Sequence, residues 1–378
     1  MIKFIRKRRY HHSAGTETPF CTNQNPISEI PEHRSQRISR VWTLQKTGTL
    51  FLCVLLMAAC LLLPACSPDS GSSGHSVRSA SPSGKSHKLR IVATIFPPYD
   101  FARQIAGKDA DVQMLLKPGE ESHSYEPTPQ DIRKIQNADL FLYVGGDNDT
   151  WVKQILKSMG SKAPKAIKLI DLTSTVTEEE SEGMQENPAE HHEHGEHGEH
   201  DRDLDEHVWT SPLKSIEITR KISLEMQRLD PEHASDYRKH TAAYTRKLHR
   251  LDQQFKDVVS HSKRKEILFA DRFPLRYLTD ELGLKYYAAF SGCSANSEPS
   301  AKTVSFLIHK VKADHLPVVF TIELSNHQMA DSICEVTGAR RMTFYSCHNI
   351  TARQKAQGVT YLSMMRHNVH VLDYALNH

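Results

Sequence analysis

At 378 residues the chain is long enough for two ordinary domains. Its formal net charge of +3 is small, and much of the positive charge lies in the first 46 residues. No basic, aromatic-laced stripe follows, which excludes nucleic acid as an implied partner.

The first landmark is LFLCVLLMAACLLLPAC, residues 50–66, preceded by Arg34, Arg37, Arg40 and Lys46. Seventeen apolar-rich residues are marginal for a spanning helix and closer to the core of a signal peptide. The run ends in Leu63-Pro64-Ala65-Cys66, which resembles a lipobox. Residues 1–65 therefore read as leader and signal peptide, with Cys66 expected to carry lipid. Residues 66–87, rich in Ser, Gly and Pro, read as a flexible tether. A plain signal anchor with an incidental cysteine is the alternative. The head before the apolar run is long for a signal peptide, and a start codon assigned too far upstream would account for it. Of seven cysteines, Cys293, Cys334 and Cys347 remain beyond this leader. An odd number without C-x-x-C spacing indicates neither a disulfide framework nor a zinc finger.

From Leu89 strand-like runs alternate with amphipathic helical stretches, a pattern that predicts α/β lobes with parallel sheets. Strands are expected at 89–95, 111–116, 139–145 and in AIKLIDL, with helices in YDFARQIAG, QDIRKIQN and WVKQILKSMG. The first lobe is placed at 88–229. It includes an acidic, histidine-rich stretch, 174–206, too poor in apolar residues to order itself and expected to be a mobile loop. Asp230-Pro231 offers an N-cap and N1 pair for a connecting helix over 230–262. Its stripe is Ala234, Tyr237, Thr241, Tyr244, Leu248, Leu251, Phe255 and Val258. A second lobe, 263–378, repeats the alternation. Its strands are expected at 266–271, 284–290, 317–323 and 341–346, and YLSMMRHNVHVLDYAL forms the closing helix. Two lobes on one rigid helix predict a cleft between them.

In open parallel sheets, ligands gather beyond the carboxyl ends of the strands. That rule selects His123 in KPGEESHSYEPTPQDI and His207 in DEHVWTSP in the first lobe. In the second it selects Asp271-Arg272, Ser291-Gly292-Cys293, Glu323 and Cys347-His348. Imidazole suits zinc, nickel, copper and manganese, and a carboxylate or thiolate beside it favours zinc.

GEESHSYEPTPQDI resembles the G-x-x-x-H-x-Y-x-P-x-P-x-D segment of the substrate-binding lipoproteins of zinc and manganese ABC importers. DEHVWTSP resembles the D-x-H-x-W-x-x-P segment of the same family, and GVTYLSMMRHNV its closing helix. The acidic loop before His207 is similar to the loop of zinc-selective members. The likeness runs from about Leu89 to the C-terminus. It implies ligand roles for His123 and His207, and two lobes joined by a rigid helix.

The second lobe departs from the pattern. Arg272, in FADRFPLRYL, stands where the family has a third histidine, and a guanidinium cannot ligate a metal. The family's late aspartate falls near Cys347-His348. The expected ligands are therefore His123, His207 and His348, with Cys347, Asp271 or Glu323 in a fourth place. Arg272 is expected to pair with one of those carboxylates.

His191, His192, His194, His197 and His200 lie among glycines and hold no preformed geometry, so they are expected to bind zinc only as an accessory loop. The expected function is a lipid-anchored, extracytoplasmic, monomeric receptor. It captures Zn2+, with Mn2+ second, and delivers it to an ABC permease without acting as an enzyme. Neutral imidazoles are required, so affinity should fall as pH drops toward about 6.5. One alternative is a surface store or adhesin working through the loop. The other is a zinc metallohydrolase, against which stands the lack of any H-E-x-x-H signature.

Overall fold

The strands alternate in what they bury. Ile91 and Ala93 of β1 (Leu89–Ala93) face one core while Val92 faces another. Leu140 and Leu142 flank Phe141 in the same way in β3 (Leu140–Tyr143). Side chains of period two, apolar on both faces, are what a parallel sheet covered on both sides requires. The computed structural model describes residues 88–146, 149–184, 204–294 and 298–378. The predicted leader, Cys66, the tether, and His191, His192, His194, His197 and His200 lie outside them.

β1, β2 (Ala110–Met114), β3 and β4 (Lys165–Lys168) form an all-parallel sheet in the order β2-β1-β3-β4. β5 (Glu266–Phe273), β6 (Lys285–Ser291), β7 (Val318–Thr321) and β8 (Arg340–Thr343) repeat that order as β6-β5-β7-β8. Phe269 and Phe320 face the shared core while Leu268 and Val319 face an outer one. The expected two-lobe α/β fold is thus present, with one continuous core running from the inner face of each sheet through the helices between them. No described helix is long and apolar enough to cross a membrane.

The connecting element differs from expectation. Helix Ala234–Ser260 buries Tyr237, Thr241, Tyr244, Leu248, Leu251 and Phe255 as predicted, but its last buried apolar residue is Val259 rather than Val258. It begins after His233, not at Pro231. Asp230 is no N-cap there: its carboxylate accepts from the His233 ring at 2.8 Å and from the Tyr237 hydroxyl at 2.6 Å. A second helix, Pro212–Leu229, packs against it. Ser211 caps that helix by accepting from Lys214 N, and Pro212 takes its first turn. Ile216, Thr219, Ile222, Ser223 and Met226 make its buried stripe. The fourth strand is also shorter than expected, because Leu169–Leu172 turns into a 3-10 helix.

The base of the predicted mobile loop is ordered. Thr177 bridges Leu204, Asp205 N donates to Val176 O at 2.9 Å, and Val176 N donates to the Tyr277 hydroxyl. Val176, Met184 and Leu204 pack on the core, which is the apolar content that holds it.

Candidate metal centre

Three loops converge where the lobes meet. His123 follows β2, His207 precedes the 3-10 turn Val208–Thr210, and His348 follows β8. The ring centroids lie 6.0 Å apart for His123–His207, 5.1 Å for His123–His348 and 4.9 Å for His207–His348. One nitrogen from each ring lies within 4.8 Å of the other two. The three histidines that the sequence singled out are therefore together.

Their neighbours set the tautomers. Asp205 Oδ1 accepts from both the backbone N and Nδ1 of His207, at 2.9 and 2.8 Å. A carboxylate can only accept, so Nδ1 carries the proton and Nε2 keeps its lone pair. At His348 the argument runs through two residues. Glu323 Oε2 accepts from Ser346 N at 2.7 Å, and Oε1 accepts from His348 N at 2.9 Å. Ser346 Oγ then donates to Glu323 Oε1 at 2.8 Å and accepts from His348 Nδ1 at 2.6 Å. Nε2 of His348 is again left as the open donor.

Both Nε2 atoms are buried and without a hydrogen-bond partner, with His207 0% and His348 7% exposed. An orphaned buried acceptor costs about 1–3 kcal/mol, a penalty that a metal ion removes. Burial, aided by the neighbouring imidazoles and Arg272, also pushes the His348 pKa well below 6.5 and favours the neutral, ligating form. Zinc fits this donor set. Trp209 packs edge-on to His207 and His348, and its Nε1 donates to Ser346 O at 2.9 Å, fixing the wall between them.

The expected fourth ligands lie elsewhere. Cys347 is wholly buried in the core, and burial beside Glu323 and Asp100 raises its thiol pKa well above 9.0, keeping it protonated. Asp271 accepts from Arg272 N and Ile322 N, and Glu323 is engaged with Ser346 and His348. Neither carboxylate falls within the three-histidine group. Arg272, re-aimed by a register shift in β5 after Phe269, reaches across the cleft to Glu121 Oε2 at 2.9 Å. It pairs with neither Asp271 nor Glu323 through its guanidinium, contrary to expectation. The cavity between these groups encloses about 10 Å³, room for a single water-sized occupant. The lobes are closed over it: Gly119 N donates to Ile350 O, and Asn349 Nδ2 to Lys117 O and Glu120 O.

Sequence reasoning missed Asp205 and Ser346 as supports. The signal was present as a polar residue two places before each histidine: Glu121, Asp205 and Ser346. Partners that orient a ligating histidine change metal affinity by roughly 10–100-fold. Asp205→Asn is expected to weaken zinc binding by about that factor with the far-UV spectrum unchanged. Equal affinity in titration calorimetry would remove Asp205 from the centre's support.

Residues 91–375 match the protein family described as zinc-uptake complex component A, periplasmic. The zinc-binding lipoprotein AdcA of Streptococcus pneumoniae is 31% identical over 321 residues, 84% of this chain and 60% of that protein. The chain thus spans about 60% of the length of these AdcA relatives. The high-affinity zinc uptake system protein ZnuA of Bacillus subtilis is 32% identical over 326 residues, 85% of this chain and 97% of that one. Among solved structures, the Zn(II)-bound ZnuA-like domain of Streptococcus pneumoniae AdcA superposes with a TM-score of 0.63 at 28% identity. It covers 77% of this chain and 100% of that domain.

Proposed function

The chain belongs to the zinc-uptake complex component A family, a family of solute-binding proteins rather than enzymes, and from that premise we propose that it is the zinc-capturing receptor of an ABC importer. His123, His207 and His348 hold the Zn2+ cargo between the lobes, and lipid on Cys66 tethers the protein to the outer face of the membrane. Delivery to the permease requires the lobes to release what they enclose. The observation that carries the reading is the pair of buried, unpartnered Nε2 atoms aimed at one point with His123 beside them. The relatives named for zinc support the choice of metal. Manganese, which prefers carboxylate and water oxygen, is disfavoured by an all-imidazole set.

The test separates the cleft from the histidine-rich loop. The chelator-stripped chain is titrated with zinc and compared with a variant lacking residues 190–204. One tight site is expected in both, with the deletion removing only weaker binding. Loss of all tight binding on deleting the loop would instead make the protein a metal store.

A further inference from the structure

A second group of donors shares His207. Glu206, His207 and Cys293 place one ligand atom each within 4.8 Å of the others. Glu206 precedes His207 in the chain, whereas Cys293 arrives from the far lobe at the end of β6. Two glycines allow the approach. A Cβ at Gly146, whose φ is +78°, would meet Glu206 Oε2 at 2.5 Å. A Cβ at Gly292 would meet His207 Cε1 at 2.9 Å and Phe273 O at 3.0 Å. Glu206 and His207 are both 0% exposed, while Cys293 is half-buried, so this group opens outward on its cysteine side. A wholly buried carboxylate gains from a cation at ligand distance.

We infer a second metal position beside the three-histidine centre, held by Glu206, His207 and Cys293 and suited to thiophilic divalent ions such as zinc and cadmium. It rests on the reading of His207 as a zinc ligand. A mixed carboxylate, imidazole and thiolate set is softer than three imidazoles and selects among divalent ions by its sulfur. Binding there forms an S–metal bond and releases the Cys293 proton to solvent; departure of the ion takes the proton back. Because His207 is common to both groups, an ion can exchange Glu206 and Cys293 for His123 and His348 while remaining on one ring. The outer position is then a loading station for the closed inner one.

Cobalt(II) is the probe, added to the reduced, chelator-stripped full chain. The wild type is expected to show the visible bands of a tetrahedral site. His348→Ala, which disables the inner centre, is expected to gain a near-ultraviolet sulfur-to-cobalt charge-transfer band. That band is expected to vanish in His348→Ala/Cys293→Ser and to persist in His348→Ala/Cys334→Ser, so the difference isolates Cys293 from the other cysteines. No Cys293-dependent band, with the wild-type visible bands intact, overturns the second position and leaves the zinc-receptor reading standing. Absence of the visible bands in the wild type overturns the receptor reading itself. Cadmium affinity of His348→Ala is expected to drop at least tenfold on adding Cys293→Ser, and an unchanged value counts against the inference.

Discussion

His207→Ala/His348→Ala is expected to abolish tight zinc binding, weakening it on the order of ten-thousandfold. The figure follows from about 10–16 kcal/mol for a four-ligand zinc site, or roughly 3–4 kcal/mol per ligand. Thermal unfolding checks it independently. Zinc at about 1,000 times the dissociation constant should stabilise the wild type by about 4.1 kcal/mol and leave the variant unmoved. The metal-free variant should not be badly destabilised, because each buried, unpartnered Nε2 costs about 1–3 kcal/mol. Removing both offsets much of the packing lost with the rings. Acidification distinguishes the two proteins further. The His348 pKa is lowered in the fold by burial, so its contribution is present above the ordinary 6.5 and is lost as pH falls below it. The metal-free wild type should therefore lose more stability than the variant between neutral and mildly acidic pH. A variant that binds zinc like the wild type would place the centre elsewhere.

Glu323→Gln is the second large effect, and it acts through positioning. Glu323 accepts three hydrogen bonds on two oxygens, from Ser346 N, Ser346 Oγ and His348 N. An amide can satisfy one side only: its oxygen can serve Ser346 Oγ and His348 N, but its NH2 then faces Ser346 N–H, donor against donor. With the carboxylate wholly buried, the mismatch should cost about 1–3 kcal/mol of stability. It also frees the Ser346 hydroxyl that sets the His348 tautomer, so zinc affinity should fall roughly 10–100-fold. A structural role alone would lower the unfolding midpoint and leave zinc affinity, measured well below it, unchanged. Calorimetry and denaturant unfolding on the same preparation separate the two.

Zinc affinity in such a centre depends on groups that are not ligands. Arg272 illustrates this on the opposite side. It brings a fixed positive charge to the cleft, and its ion pair with Glu121 spans residues 151 positions apart. That pair ties the second lobe to the loop that presents His123, since Glu121 Oε1 also accepts from His123 N. Where the family resemblance implies a ligand, the chain has a contact that helps hold the lobes closed.

The sequence by itself determined the two α/β lobes and their strand and helix order, because period-two and 3.6-residue patterns and Gly or Pro punctuation are local. It also marked His123, His207 and His348, since each sits in a loop beyond sheet strands or just before an ordered turn. Even the helix Pro212–Leu229, absent from the sequence reading, left its Ser-Pro start and buried stripe in view. Only the tertiary structure decided which candidate donors are open. Asp271 and Glu323 look like free carboxylates in the sequence, yet they are consumed by backbone N–H groups 51 and 23 residues away. Cys347 and Cys293 are equally plausible thiols in the chain, but one is sealed in the core and the other stands half-buried beside His207. A donor's availability depends on what occupies its lone pairs, and those partners come from across the cleft.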